Sequence, residues 1–246
     1  MMKNLRKKFD AWAGEARERY DRRQWILSKW ENFEGVEWPE EKIALLVRHI
    51  RQGLDLAGSG QLLDAGCGGG WITQSLRQDG WVMTGVDISP NMLASARRGF
   101  PEGRWICAEL AGLPFREESF ERVLCYFVVI NFQDPEYFRR SVQEIVRVMK
   151  PGGSALIGQI PDKALSAMYD RDKAEYLEYC RQHFNLGAHV RDQEVIPVNT
   201  FAKDQVLALA RQAGARAEAR PSFNPFYRPA AAQTVDWRFD LILKKH

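Results

Sequence analysis

The chain has 246 residues, 45% of them apolar and 27% charged, with a formal charge of only +3. That length carries one α/β domain with a full core, the balance is that of a globular chain, and the small charge gives no argument for a nucleic-acid partner. Its four cysteines, Cys67, Cys107, Cys125 and Cys180, are dispersed, no run approaches ~18 apolar residues and the N-terminal segment is charged throughout, so a reduced cytoplasmic protein without membrane span or signal peptide is expected.

The first element is an amphipathic helix. Leu5, Phe9, Trp12, Ala16 and Tyr20 fall at three- and four-residue steps, and Trp25, Ile26 and Trp30 continue the stripe. Asp10, Glu15, Glu18 and Asp21 are interspersed with the bases, so the other face reads as solvated rather than as an RNA or membrane surface. A further helix spans residues 40–56 with Ile43, Leu46 and Ile50 inward, before Gly58-Ser59-Gly60 resets the chain. Residues 1–57 read as an N-terminal helical segment, either packed over the core as a cap or closing on it as a lid, and residues 58–246 as the core.

The core opens on Leu62-Leu63-Asp64-Ala65-Gly66-Cys67-Gly68-Gly69-Gly70-Trp71, a strand running into a bare turn and a helix. Glycine permits positive φ and close ligand approach, so the turn is a pocket for a polar small molecule. The dinucleotide fingerprint G-x-G-x-x-G fails here, because its third glycine falls on Trp71 or, one register on, Gln74. The pattern present is Asp64-x-Gly66-x-Gly68-x-Gly70. Val82 to Asp87 reads as a second buried strand ending in an acid, about 20 residues past the turn, where a carboxylate accepts ribose hydroxyls. Ser89-Pro90 then caps a helix carrying Met92, Leu93 and Ala96 inward.

Trp105 to Leu110 is a third strand segment and Phe120 to Tyr126 a fourth strand. Asp134-Pro135 opens a helix with Phe138, Val142, Ile145, Val146 and Met149 on one face, ended by Lys150-Pro151-Gly152-Gly153. Ser154 to Ile160 is the fifth strand. A long insertion, 161–200, follows; loops of this length are commonly functional. It holds Tyr176, Tyr179 and His183 at helical steps. A helix near Phe201 to Ala213 leads to strands Ala215–Arg220 and Val235–Lys244, joined by a loop carrying Phe226-Tyr227-Arg228.

In order and spacing, residues 62–160 resemble the class I S-adenosylmethionine-dependent methyltransferases, and most closely the small-molecule subgroup that includes the quinone-biosynthesis enzymes. The resemblance implies an α/β fold: a Rossmann-like, seven-stranded, mostly parallel sheet with helices on both faces, the last strand antiparallel, and extra N-terminal helices. It implies S-adenosylmethionine as cofactor. Gly66, Cys67, Gly68 and Gly70 would pass the methionine part, with Asp64 ordering the turn and facing the ammonium. Asp87 would hold the ribose, with Ile88 on the adenine face. Glu109 would accept the adenine amino group, the Leu110 amide would meet the ring, and Cys125 of the fourth strand is a further candidate cofactor-binding residue. Tyr20, on a closing lid, would contact the carboxylate. Many relatives carry histidine after strand four, where this chain has Ile130-Asn131. No base is carried over there, and Asn131 either binds substrate or caps the next helix.

The expected activity is methyl transfer to a small-molecule acceptor through oxygen, nitrogen or carbon. His183 is the candidate base and Tyr126 the candidate pocket-edge catalytic residue. Asn131, Tyr176, Tyr179 and Tyr227 are candidate acceptor-binding residues. No metal-ligand cluster is legible. The alternatives are an RNA methyltransferase, a non-catalytic cofactor-binding protein and, disfavoured by Trp71, a nicotinamide dehydrogenase. Monomer and homodimer are equally open.

Overall fold

The computed structural model describes residues 4–11, 40–167, 199–223 and 238–246. Its strands are β1 (Gly60–Ala65), β2 (Trp81–Asp87), β3 (Arg104–Cys107), β4 (Phe120–Tyr126), β5 (Met149–Pro161), β6 (Ala215–Pro221) and β7 (Arg238–Lys245). Its helices are α1 (residues 4–11), α2 (Glu40–Leu54), α3 (Trp71–Ser75), α4 (Pro90–Gly99), α5 (Pro135–Val148) and α6 (Lys203–Gln212). The strands form one sheet in the order β3-β2-β1-β4-β5-β7-β6. All pairings are parallel except those of β7, which runs antiparallel to both β5 and β6. The last strand is thus antiparallel, as the resemblance implied, and it is inserted inside the sheet rather than added at its edge.

A sheet covered on both faces needs strands that are apolar on both. Leu63, Ala65, Val123, Cys125 and Ile157 point into one core cluster, with Phe138, Val142 and Ile145 of α5 and Val206 and Ala210 of α6. Leu62, Leu124 and Leu156 point into the other, against Leu46, Ile50 and Leu54 of α2 and Leu93 and Ala96 of α4. Each such fully buried aliphatic or aromatic side chain contributes about 1.5–3 kcal/mol. Local chemistry starts the helices: Ser89 accepts the Met92 N–H before Pro90, and Asp134 accepts the Glu136 N–H before Pro135. Among the described residues no helix is long and apolar enough to cross a membrane.

Two boundaries differ from expectation. α5 ends at Val148, and Lys150-Pro151-Gly152-Gly153 belongs to β5, because Met149 already pairs with Phe120 on β4. The proline–glycine run bends a strand, with Gly152 at φ 74, instead of terminating a helix. At its other end β5 carries an irregularity between Ile157 and Ile160 against β7, where Gln159 holds φ 64. That bulge turns polar groups toward the carboxyl ends of β4 and β5.

The chain leaves β1 toward β2 and β3 on one side, and β4 and β5 lie on the other. The gap between β1 and β4 is the topological switch point, where α/β sheets bind ligands beyond the carboxyl ends of their strands.

Candidate active site

The glycine turn lies at that switch point. The N–H groups of Gly66 and Cys67 both donate to Val86 O, at 2.7 and 3.0 Å, folding the turn back over β2. Its glycines do different work. A Cβ on Gly66 would stand 2.4 Å from Val128 Cγ2, so this position is bare to admit the residue that follows β4. A Cβ on Gly70 would stand 2.6 Å from the Trp105 indole. Gly68, at φ 51, has nothing within 4 Å of its Cβ position. It is the glycine that presents bare backbone to open space. The helix after the turn, α3, has only 5 residues, so the cradle rests on the turn itself.

Two acids flank it. Asp64, 3% exposed, accepts the Thr73 hydroxyl at 2.5 Å, which ties the end of β1 to α3. Burial pushes its pKa up to about 7, against the Thr73 hydrogen bond and with the nearby Asp87 charge adding to the rise. Asp87 accepts the Gly68 N–H at 2.9 Å and the Ser89 N–H at 2.8 Å. Burial raises its pKa, and those two donors hold it down. A carboxylate offers about four lone-pair sites, so Asp87 keeps capacity for two further donors. A pair of ribose hydroxyls suits that capacity, and the open face of Gly68 suits a chain passing close. The residues present therefore fit a nucleoside cofactor.

Other expected positions fare differently. Ile88 is half-buried beside Asp87, and Glu109 is exposed at the start of the short 3₁₀ turn Leu110–Gly112. The Leu110 N–H, expected on the adenine ring, donates instead to Tyr137 Oη at 3.1 Å. The Cys67 thiol is buried and pushed well up by that burial and by Asp87. Cys125 lies in the core cluster with Ala65 and Val123, with its thiol raised by burial. That position gives its side chain no open surface to offer a ligand. Asn131 returns its amide to the Phe127 and Val128 carbonyls, at 3.5 and 3.4 Å, and Asp134 caps the helix that follows. Tyr126 is 3% exposed, and its hydroxyl donates to Phe223 O at 2.9 Å, with a pKa raised well above 10 by burial and by Asp240. A phenol held in this way stays protonated near neutral pH, with its hydroxyl between Phe223 O and Asp240. Tyr20, Tyr176, Tyr179, His183 and Tyr227 lie outside the described residues.

The structure also brings together residues that the sequence reading missed. Asp10 of α1 accepts the Ser89 hydroxyl at 2.5 Å, and its carbonyl accepts the Asn91 amide at 3.1 Å, so α1 docks beside Asp87. Beyond β4, His49 of α2, Asp240 of β7, Gln159 of β5 and Ser222 form a buried polar network around Tyr126. The available signal was a carboxylate within the otherwise apolar run of β7.

Sheet order, the antiparallel β7 and a glycine turn with acids at the ends of β1 and β2 define a Rossmann-like methyltransferase fold. Residues 63–157 match the family model described as "Methyltransferase domain", and the cofactor of that family is S-adenosylmethionine. Over 120 residues the chain is 33% identical to the malonyl-[acyl-carrier protein] O-methyltransferase of Erwinia pyrifoliae, covering 49% of this chain and 43% of that protein. Over 158 residues it is 27% identical to the ubiquinone biosynthesis O-methyltransferase of Coxiella burnetii, covering 61% and 63%. The chain thus spans less than two thirds of these relatives. The PH0226 protein of Pyrococcus horikoshii superposes with a TM-score of 0.62 over 93% of this chain and all of that one, at 19% identity, a likeness of fold.

Proposed function

We propose that the protein transfers the methyl group of S-adenosylmethionine to a small organic acceptor. The observation that carries this reading is the Asp87 carboxylate, held by the Gly68 and Ser89 N–H groups beside the bare backbone of Gly68. The cofactor supplies an activated methyl on a sulfonium. The protein's part is to bind it, align an acceptor in line with the methyl and exclude water, and positioning of this kind supplies much of the rate. In this reading Asp87 takes the ribose hydroxyls, Gly66, Cys67, Gly68 and Gly70 line the methionine part, and Asp64 faces its ammonium. Ile88 and Glu109 border the adenine. Residues 1–57 act as a cap over this site and 161–200 as a second lid. The contact of Asp10 with Ser89 supports the cap. Tyr20 on the cap and Tyr176, Tyr179, His183 and Tyr227 around the acceptor retain their expected roles within the proposal. A small acceptor, rather than nucleic acid, is supported by the ubiquinone relative and by the weak net charge. A cytoplasmic setting is supported by the free thiols of Cys67, Cys107 and Cys125.

The test is calorimetric titration of the full chain with S-adenosylhomocysteine, then tritiated methyl transfer to a panel of phenols, carboxylic acids and amines. Wild type binds and transfers. Asp87→Ala binds roughly 10- to 100-fold more weakly, the worth of hydrogen bonds to a charged group. Undiminished affinity in that variant would remove Asp87 from the site.

A further inference from the structure

The cofactor residues occupy β1, β2 and the segment after β3. From the switch point this leaves the carboxyl ends of β4 and β5 for the acceptor, and a carboxylate–imidazole pair stands at that end. His49 Nε2 lies 2.7 Å from Asp240 Oδ2, joining α2 to β7. Asp240 is held from its other side. Its Oδ1 accepts the Gln159 N–H at 2.9 Å and the Ser222 hydroxyl at 2.6 Å. Tyr126 Oη stands 3.3 Å from Oδ2. The Asp240 side chain is 2% exposed and that of His49 is 29% exposed, so a buried carboxyl group anchors a half-open ring. The Phe223 ring lies against the imidazole at 5.2 Å, and Tyr126 meets it edge-on at 6.3 Å.

A carboxylate acceptor at Nε2 makes that nitrogen the N–H of the neutral ring and leaves the lone pair on Nδ1. Among the described residues Nδ1 makes no hydrogen bond. This is the arrangement by which an acid orients a histidine that takes protons.

We propose that His49, oriented by Asp240, is the proton acceptor for the methyl acceptor, with Tyr126, Gln159 and Ser222 as positioning residues. The inference rests on the methyltransferase reading above. As the acceptor's heteroatom forms its bond to the methyl carbon, the carbon–sulfur bond breaks and its electron pair stays on sulfur, giving a neutral thioether. The proton of the acceptor passes to Nδ1 of His49 and then to solvent. The charge of the sulfonium is thereby carried away as an imidazolium beside Asp240. Among the described residues the titratable and charged groups around the ring are Asp240 and, through Tyr126, Arg238 of β7, with Tyr126 itself from β4; β5 contributes the uncharged Gln159. His183 keeps its place as the rival base, and the experiment separates the two.

The experiment compares full-length wild type, His49→Gln, Asp240→Asn and His183→Gln in tritiated methyl transfer across pH 5.5 to 9.5, with phenols, carboxylic acids and amines as acceptors. S-adenosylhomocysteine affinity and melting temperature are measured alongside. His49→Gln is expected to lose roughly 100-fold in kcat, with cofactor affinity within about twofold of wild type. Its residual rate should climb steadily with pH where wild type reaches a plateau. A merely structural pin would lower the melting temperature and leave the pH profile alone. An independent reading on wild type is the ¹⁵N spectrum of the histidine rings, which should show that the neutral form of His49 carries its proton on Nε2. An unchanged kcat and pH profile in His49→Gln, loss of turnover confined to His183→Gln, or a neutral His49 protonated on Nδ1 would each overturn the proposal. So would a wild type that binds S-adenosylhomocysteine yet methylates none of the panel. A wild type that does not bind S-adenosylhomocysteine overturns the methyltransferase reading itself.

Discussion

Gly66 and Gly68 have the same side chain and opposite surroundings, which makes their substitution informative. At Gly66, a methyl group would meet Val128 at 2.4 Å with the backbone at φ 88. Overpacking and left-handed strain of this kind cost on the order of 1–3 kcal/mol each, so Gly66→Ala is expected to lower the melting temperature by several degrees. Gly68→Ala meets no protein atom within 4 Å. It should cost only about 1 kcal/mol of backbone strain, while weakening S-adenosylhomocysteine binding in calorimetry. Asp64 yields a pH prediction. Its folded pKa of about 7 lies above the ordinary carboxylate value, so between about pH 4 and pH 7 the folded state holds a proton that the unfolded state has released. Stability contributed at this group is therefore lost as pH rises through that window. Urea unfolding of wild type and Asp64→Asn, compared at pH 4, 5.5 and 7, should show the wild type losing ground relative to the variant. A difference that does not vary with pH would contradict the burial argument.

At the scale of elements, short-range chemistry accounts for most of what was legible. Asp134-Pro135 and Ser89-Pro90 start helices because the capping acceptor and the pre-set proline φ act within three residues. The strand-four prediction, Phe120 to Tyr126, matches β4 because a buried apolar run needs no distant partner to be recognised. Lys150-Pro151-Gly152-Gly153 misled for the converse reason: Pro and Gly mark a bend, and whether the bend interrupts a helix or a strand depends on Phe120 pairing with Met149. Docking of α1 is of this second kind. Asp10 bonds the Ser89 hydroxyl and the Asn91 amide, each more than 70 positions away in the chain. Asp10→Ala should destabilise the fold by about 1 kcal/mol, read as a lower urea midpoint at unchanged m-value, and should speed cleavage of the N-terminal segment by protease. An unaltered cleavage rate would separate α1 from the cap role.

At the scale of the whole molecule, the sheet brings two groups of side chains to its carboxyl edge. On the β1–β2 side stand Asp64, Gly68 and Asp87, close together in sequence. On the β4–β5–β7 side stand Tyr126, Gln159, Asp240 and His49, spread over 191 positions. The first group was readable because one strand–turn–helix unit and the next strand contain it, and the turn's chemistry demands particular residue types. The second was not. Arg238 and Asp240 alternate with Phe239 and Leu241, a pattern that ordinarily marks a half-solvated strand, yet both are buried, because β7 is enclosed between β5 and β6 and covered on both faces. By itself, the sequence determined the glycine turn, its flanking acids, the helix starts and the class of fold, since these rest on spacings of a few residues. Only the tertiary structure decided which glycine faces open space, that Tyr126 is tied down, and that His49 meets Asp240. Those facts depend on contacts between elements far apart in the chain, which no local pattern records.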